Sequence, residues 1–291
     1  MGYNKPIVVI CISFIILCSS CSSLFTGTEY KPTLAILGAF NKEIMMLERQ
    51  LTHTQQQKIE GIRFVTGKMY GRPVVVAGTG IGKVNAAMTT TLLIEHFRPS
   101  EVIFSGIAGG VNPQLHPGDI VIAAETAHHD MGVLGEDDFY NRGVINPLDG
   151  DRNPVYLPAD KRLLKLAEQT ADQVKLEKIK TTVGERTPQI IKGIIVTGDV
   201  FVASPSKCKE LRKMLNADAV EMEGAAVAQI CYQRRIPHLI VRSISDKADE
   251  TAREDSMMFH EMAAKNSASL ITKIAELLAS ESSVEKSGKT R

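Results

Sequence analysis

The chain has 291 residues, of which 44% are hydrophobic, and its 34 Lys and Arg residues nearly balance its 33 Asp and Glu residues. A formal charge of +1 provides no strong field that would draw the protein to nucleic acid or to an acidic membrane. Trp is absent and aromatic residues make up only 5% of the chain, so aromatic platforms for single-stranded nucleic acid are not expected.

The N-terminal segment differs in composition from the rest of the chain. Ile7–Leu17 is an apolar run interrupted only by Ser13, with Lys5 ahead of it and the small residues of "CSSCSS" behind it. This order is typical of a secretory signal, and the run is shorter than the roughly 20 residues of an ordinary spanning helix. The alternative is a buried strand, which "TGTEYKPT" would separate from the next strand. We predict an export signal over residues 1–21, a linker over 22–33, and a protein of the cell envelope or surface.

Cys21 is a candidate for the acylated cysteine of a bacterial lipoprotein, through which the chain would be anchored to a membrane. Leu17 lies four residues ahead of it and two serines directly precede it. Cys18, however, stands where lipoprotein signals prefer an aliphatic residue, so the sequence predicts export and leaves lipidation open. Beyond this segment only Cys208 and Cys231 remain, and no disulfide framework is expected.

From Pro32 to Leu278, short apolar runs rich in β-branched residues alternate with segments of helical periodicity. This alternation predicts one α/β domain over residues 34–278, with a largely parallel sheet that helices cover on both faces. Residues 279–291 are polar and are expected to form a frayed tail. In chain order the predicted elements are strand "TLAILGAF", helix "NKEIMMLERQL", strand "RPVVVAGTG", helix "KVNAAMTTTLLIEHF", strands "EVIFSGIAGG" and "GDIVIAAETAHHD", helix "ADKRLLKLAEQTADQV", strand "KGIIVTGDVFV", helix "PSKCKELRKML", the extended and then helical "DAVEMEGAAVAQICYQRR", strand "PHLIVRSISD" and helix "FHEMAAKNSASLITKIAELLAS".

Loops at the carboxyl ends of such strands are where ligands bind. One of them, "GTGIGK" at residues 78–83, has glycines whose N–H groups could hold a phosphate at the start of a helix. It departs from the Walker A pattern at Ala77 and Val84, and Lys83 replaces the third glycine of a dinucleotide fingerprint. The alternative is a tight turn between strand and helix, and no cofactor is expected.

His128, His129 and Asp130 suggest a metal site at first sight. Adjacent residues of a strand point to opposite faces, so the two histidines cannot easily share an ion, and no further His or Cys lies at ligand spacing. We therefore predict no metal and a hydrogen-bonding role for this segment. The chain also has no G-x-S-x-G motif, the pattern of one class of serine nucleophile.

Four carboxylates fall in the loops at strand ends: Glu43, Glu221, Glu223 and Asp246. Each alone could be a helix-end charge or a solvated loop residue. Together they would converge on one rim of the sheet. Four acids at one rim favour a role in acid and base catalysis over four unrelated surface charges.

Seven motifs of the chain, taken in order, resemble those of a known enzyme family. "LGAFNKEI", "GIGKVNAA", "SGIAGGVNPQLHPGDIV", "HHD", "TGDVFV", "AVEMEGAAVAQIC" and "VRSISDKAD" resemble the 5′-methylthioadenosine/S-adenosylhomocysteine nucleosidases of the purine nucleoside phosphorylase superfamily. The resemblance covers residues 34–275 and excludes the export signal, since ordinary members are cytosolic. It implies a three-layer αβα fold with a central mixed, largely parallel sheet, and a homodimer with active sites near the interface.

The resemblance also implies roles for individual residues. Glu43 matches the acid that activates the attacking water, Asp246 the acid that protonates N7 of the leaving adenine, and Glu223 the acid that binds the ribose hydroxyls. Met222 would pack under the sugar, and Phe201 would stack on adenine. Val202 would supply backbone contacts to the base, Thr79, Gly109 and Ser245 complete the expected binding set, and Phe40, Glu221 and Arg242 are additional candidates.

The implied activity is hydrolysis of the N-ribosidic bond of methylthioadenosine and S-adenosylhomocysteine, with 5′-deoxyadenosine unranked beside them. The family phenylalanine over the alkylthio group aligns with Ser256, and Met257 or Phe259 is expected to replace it. Two alternatives stay open: a phosphate-dependent phosphorylase of the same superfamily, and an exported adhesin or polyanion-binding protein that uses surfaces such as Lys207–Lys213 or the region of Arg234.

Overall fold

The computed structural model describes residue 2 and residues 33–136, 138–181 and 184–288. The predicted export signal, with Ile7–Leu17 and Cys21, therefore lies outside the described residues. In chain order the elements are β1 (Leu34–Gly38), α1 (Asn41–Glu48), β2 (Thr52–Ile59), β3 (Ile62–Met69), β4 (Arg72–Gly78), α2 (Lys83–Phe97), β5 (Glu101–Ser105), β6 (Ile107–Gly110), β7 (Ile120–His128), β8 (Gly132–Leu134), β9 (Phe139–Asn141), β10 (Tyr156–Pro158), α3 (Lys161–Ala171), β11 (Ile179–Thr181), β12 (Gly184–Arg186), β13 (Ile190–Thr197), α4 (Pro205–Leu215), β14 (Ala219–Glu221), α5 (Gly224–Gln233), β15 (His238–Asp246) and α6 (Ala252–Gly288).

The central sheet of the described residues has eleven strands in the order β10-β7-β13-β14-β6-β15-β5-β1-β4-β3-β2. β1 runs parallel to β4 and β5, and β15 runs parallel to β5 and β6, whereas β2, β3 and β4 form an antiparallel meander. β7 also pairs antiparallel with β15, so β7, β13, β14, β6 and β15 close into a ring. The predicted mixed α/β fold is confirmed.

Strand β1 shows how helices cover both faces of this sheet. Ala35 and Leu37 pack into a core that includes residues of α2 and α5, whereas Leu34 and Ile36 pack into a core with α1, α3 and α6. Because alternate residues of a strand point to opposite faces, a strand buried on both faces needs the continuous apolar run seen here. The result is three layers, with the sheet between two sets of helices.

The hairpin of β2 and β3 was not predicted from the sequence. Seven of the eight residues of β2 are exposed, so its polar sequence "THTQQQKI" carries no alternation of polar and apolar side chains. The available signal was the turn, where Glu60 and Gly61 both have positive φ, 48° and 81°. Two such residues between strands are typical of a tight β-hairpin.

Two other elements differ from their predicted bounds. "EVIFSGIAGG" is divided at Gly106, because β5 pairs with β1 and β15 while β6 pairs with β15 and β14. The last helix begins at Ala252, ahead of the predicted Phe259, and continues to Gly288, so residues expected to form a frayed tail are helical. No helix in the described part of the chain combines the length and apolar character that a membrane crossing requires.

Candidate active site

The strand ends bring the predicted acids to one region of the molecule. Glu43 lies in the first turn of α1 after β1, Glu223 directly precedes α5 after β14, and Asp246 is the last residue of β15. Arg242, near the middle of β15, links the first two. Its guanidinium lies 3.9 Å from Glu223, and its charge opposes the rise in pKa that burial causes in both Glu43 and Glu223.

Glu43 is buried and is held by two backbone donors. Its Oε2 accepts a hydrogen bond from the N–H of Phe40 (2.9 Å), and its Oε1 accepts one from the N–H of Ile107 (3.2 Å). Burial raises the pKa of Glu43 to about 7, although the Arg242 charge and these hydrogen bonds oppose the change. A carboxyl group with this pKa can exchange a proton near neutral pH, as a general base must.

Glu221 and Arg242 form a buried ion pair beneath this acid. Arg242 Nη2 lies 2.6 Å from Glu221 Oε2, and the exposed fractions of the two side chains are 1% and 2%. The Arg242 guanidinium also lies 4.0 Å from the centre of the Phe104 ring. Glu221 is therefore a closer partner of Arg242 than Glu223, which lies 3.9 Å away.

The same carboxylate of Glu221 caps helix α5. It accepts hydrogen bonds from the N–H groups of Glu223 (3.1 Å) and Gly224 (2.7 Å) and from the hydroxyl of Thr197. Glu223 occupies the N-cap position, yet its side chain makes no capping hydrogen bond. The side-chain cap of this helix is therefore the carboxylate of Glu221 and not that of Glu223.

Glu223 is consequently available to a ligand on one side. Its Oε1 accepts a hydrogen bond from the N–H of Gly82 (2.8 Å), at the start of α2. Burial, and then the neighbouring charge of Glu221, raise the pKa of Glu223, while Arg242 opposes this change. Hydroxyl groups of a ligand would stabilise the ionised form of this carboxyl group, because their hydrogen bonds would replace those that burial removes from water.

Asp246 is buried at the end of β15 and is fixed by its neighbours. Its Oδ2 accepts a hydrogen bond from the hydroxyl of Ser245 (2.7 Å), and its Oδ1 accepts one from the N–H of Ala248 (2.8 Å). Burial raises its pKa, with both hydrogen bonds acting in the opposite direction. Gly109 is required beside it, because a β-carbon there would lie 2.9 Å from Asp246 Oδ1.

The other expected binding residues differ in their degree of exposure. Thr79 is buried and donates a hydrogen bond to the carbonyl of Gly80 (2.9 Å), and Val202 is also buried. Met222 is half-buried, whereas Phe201 is 50% exposed and can cover a flat ligand.

Phe40 lies against α6, the helix that carries the residues expected to replace the family's lid aromatic. Phe40 contacts the ring of His260 edge-on, with 5.2 Å between ring centres. Ser256 and Phe259 are partly buried, while Met257 is exposed. His260 on α6 is thus an unpredicted neighbour of the loop that holds Glu43.

A cluster that the sequence analysis did not identify fixes the loop that carries Phe201. Lys83 Nζ lies 2.7 Å from Asp130 Oδ1, and the Lys83 N–H donates a hydrogen bond to Asp199 Oδ1 (2.8 Å). The Asp199 N–H in turn donates to Asp130 Oδ2 (2.9 Å). The sequence signals for this cluster were Asp130 in "HHD" and Asp199 in "TGDVF". Their contacts with Lys83 of "GTGIGK" depend on the order of the strands in the sheet and could not be predicted locally.

The histidines of this motif are hydrogen-bonding or packing groups. His128 Nε2 lies 3.1 Å from Gln229 Oε1 on α5, and burial, followed by the Lys83 charge, lowers the pKa of His128 to about 4. In the described ranges, no cluster of three or more His, Cys, Asp or Glu side chains could hold a metal ion.

Known proteins are similar to this chain in both sequence and fold. The profile of the phosphorylase superfamily matches residues 33–276. The 5′-methylthioadenosine/S-adenosylhomocysteine nucleosidase of Bacillus cytotoxicus is 37% identical over 246 residues, which cover 84% of this chain and 99% of that protein. The crystal structure of the Neisseria meningitidis nucleosidase in complex with methylthio-immucillin-A matches with a TM-score of 0.72 at 34% identity, covering 84% and 98% of the two chains. The futalosine hydrolase of Helicobacter pylori matches with a TM-score of 0.72 at 29% identity over 84% and 98%.

The mixed sheet, with buried acids at its strand ends, defines a phosphorylase-superfamily protein. Within that class, the chain belongs to the 5′-methylthioadenosine/S-adenosylhomocysteine nucleosidase family, with which it shares nearly the whole length of the curated relatives.

Proposed function

We propose that the protein is a hydrolase that cleaves the N-ribosidic bond of 5′-methylthioadenosine and S-adenosylhomocysteine. The products are adenine and the free thio-sugar, and 5′-deoxyadenosine is a third candidate substrate. The observation that carries the proposal is a pair of buried carboxyl groups, Glu43 and Asp246, each held by backbone N–H groups and each with a raised pKa.

Asp246 acts as the general acid. Adenine leaves poorly as an anion, so protonation of N7 as the bond breaks is worth about 10²–10⁴-fold in rate. The raised pKa of Asp246 favours its protonated form, and the Ser245 hydroxyl and Ala248 N–H hold the carboxyl group in place for this transfer.

Glu43 and Glu223 serve the sugar. As the bond to adenine breaks, positive charge develops on the ribose ring, and nearby carboxylates stabilise it. Glu43 orients the attacking water and takes its proton, and Glu223 accepts hydrogen bonds from the ribose hydroxyls while the N–H of Gly82 fixes its other side. Met222 packs under the sugar and Phe201 covers the adenine.

Water, not phosphate, is the nucleophile. A phosphorylase needs cations that are available to the anion. In the part of the chain that the structure describes, Arg242 is already paired with Glu221, and Lys83 is paired with Asp130. A phosphate beside Glu43 would also meet a negative charge. The phosphorylase alternative is therefore not favoured.

The test is release of free adenine by the purified protein, followed by chromatography, with and without added phosphate. We expect equal rates in both conditions and a free reducing sugar as the second product. A ribose 1-phosphate product would contradict hydrolysis, and the absence of adenine release from all three nucleosides would contradict the function. Futalosine belongs in the same substrate panel, because a structurally similar protein is a futalosine hydrolase.

We also propose that the protein is a homodimer. Val84 and Met88 on α2 are large apolar side chains in solvent, and so are Leu134 and Tyr140 on the small hairpin of β8 and β9. Val84 and Met88 lie four residues apart and therefore share one face of α2, and apolar side chains exposed on one helix face are typical of protein interfaces. Sedimentation should give a dimer for the wild type and a monomer for Val84→Glu/Met88→Glu, whereas Met45→Glu, on an exposed methionine of α1, should remain a dimer. A monomeric wild type would contradict the proposal.

Export and membrane anchoring through Cys21 form a further proposal, supported by the sequence of residues 1–21 alone. Cell fractionation should place the protein in the envelope, and Cys21→Ser should release it if the cysteine is acylated. Unprocessed protein in the cytosol would contradict export. A chain that begins at Thr33 should keep full activity, because the described acids and their partners all lie after that residue.

A further inference from the structure

A cavity of about 520 Å³ lies outside the catalytic groups. It is bounded by α4, by the loop that follows β6 and by the segment that follows β15. The backbone of Ala248 separates it from the general acid: Ala248 O accepts a hydrogen bond from Cys208 Sγ (3.3 Å), and its N–H donates to Asp246. Its volume is in the range of small-molecule sites, roughly 300–1,000 Å³.

The floor of this cavity is apolar. Val111 and Cys208 belong to the core that packs under α4, and Pro113, Leu115 and Pro205 complete the floor. Burial raises the pKa of the Cys208 thiol to about 11, so it contributes a neutral surface. Such a floor favours a ligand with an apolar body.

The rim of the cavity is basic. Lys209 and Lys213 lie four residues apart on α4, and Lys247 follows the general acid in the chain. Within the described residues none of these three lysines forms an ion pair, whereas the neighbouring Lys207 and Arg212 are paired with Glu210 and Asp218.

One acid, Asp249, also lines the cavity. Its Oδ1 accepts hydrogen bonds from the N–H and the hydroxyl of Thr251. The positive charge of the three lysines therefore exceeds the negative charge at this rim.

We propose that this cavity binds an anionic amphiphile, a molecule with an apolar body and one carboxylate or phosphate head. The body packs on Val111 and Pro113, and the head lies among Lys209, Lys213 and Lys247. Exposed lysines alone hold an anion weakly in salt, so the apolar floor is what makes the site selective for this class. Binding in this cavity does not depend on the proposed hydrolase activity, because none of the residues that would hold the ligand takes part in the nucleosidase reaction.

The test is isothermal titration calorimetry of the full chain with decanoate. Acetate has the same head without the body, and decyltrimethylammonium has a similar body with the opposite charge. We expect saturable 1:1 binding of decanoate alone. The Lys209→Gln/Lys213→Gln variant should bind it about tenfold more weakly. Lys161→Gln/Lys165→Gln, two exposed lysines at the same spacing on α3, is the matched control and should bind it as the wild type does.

Several results would overturn the proposal. These are absence of saturable decanoate binding, equal binding of decyltrimethylammonium, equal losses in the two lysine pairs, or binding of a heparin oligosaccharide without binding of decanoate. Sedimentation with phosphatidylglycerol vesicles against phosphatidylcholine vesicles then identifies the source of the ligand. Vesicle binding that the Lys209→Gln/Lys213→Gln variant loses assigns a membrane lipid, and binding of decanoate alone assigns a soluble molecule. Adenine release measured on the same samples separates this outcome from that of the proposed hydrolase activity.

Discussion

Replacement of Glu221 by Gln should destabilise the fold far more than the loss of an ordinary ion pair. Gln keeps the shape of the side chain but places an amide NH2 among donors: the Arg242 guanidinium, the N–H groups of Glu223 and Gly224, and the Thr197 hydroxyl. Removal of one partner from a buried pair costs about 3–5 kcal/mol, because the remaining charge stays buried without compensation.

The structure places Glu221→Gln near the lower end of that range. Glu223 lies 3.9 Å from Arg242 and can take over part of the charge compensation, and the Phe104 ring still contacts the guanidinium. We therefore expect a loss of about 3 kcal/mol in the free energy of unfolding, a large share of the ~5–15 kcal/mol typical of a domain. The pKa of Glu223 should fall in this variant, because the Glu221 charge contributes to raising it.

Urea unfolding followed by far-ultraviolet circular dichroism measures this loss, since the chain has no Trp for fluorescence. Glu210→Gln is the matched control: its ion pair with Lys207 is about as short, 2.7 Å against 2.6 Å, but is exposed, so the loss should stay below about 1 kcal/mol. Equal losses in the two variants would refute the assignment of Glu221 as the structural acid of the site.

Three further predictions concern the acids assigned to the reaction. Asp246→Asn should lower kcat by about 10²-fold or more with little change in nucleoside affinity, as stopped-assay kinetics and equilibrium binding would show; near-normal turnover would exclude the general-acid role. Glu223→Gln should lose discrimination between ribose and its 2′- and 3′-deoxy analogues in kcat/KM, and retained discrimination would remove this residue from sugar recognition. Glu43→Gln should abolish adenine release. Because burial raises the pKa of Glu43 from 4.5 to about 7, the folded wild type holds a proton that the unfolded chain loses, so wild-type stability falls as pH rises through this window. Glu43→Gln lacks this dependence and should gain up to about 3 kcal/mol relative to the wild type between about pH 5 and pH 8, and parallel urea midpoints at both pH values would argue against the buried, proton-holding Glu43.

The apolar runs were sufficient to predict the layered fold and the loops in which the acids lie. Parallel strands covered on both faces are continuous in their apolar character, and their carboxyl ends meet at one edge, so Glu43, Glu223 and Asp246 could be predicted as neighbours. The hairpin of β2 could not be predicted in this way, because an exposed strand does not show that pattern.

The pairing of charges within the site could not be predicted from the sequence. Glu221 and Glu223 differ by two positions, yet one turns back onto Gly224 and Arg242 while the other meets Gly82. That division depends on β14 lying beside β13 and on α2 beginning next to Glu223. Both follow from the order of the strands in the sheet. The local sequence places both acids at the rim of the sheet, but it does not show that Glu221 holds the fold together while Glu223 is available to a ligand.

Strand β15 has three neighbours along its length: β5 at His238, β7 at Arg242 and β6 at Ser243 and beyond. Asp246, the proposed general acid, thus ends one of the two strands of the described sheet that pair with three others, the second being β7. The amides of β15 should be among the slowest to exchange with solvent. Phe201, in contrast, belongs to an exposed loop. Substrate can then enter and adenine can leave past this loop while Asp246, the proposed proton donor, keeps its position. Substitutions in the loop should therefore change the rates of substrate binding and product release without changing the rate of the chemical step.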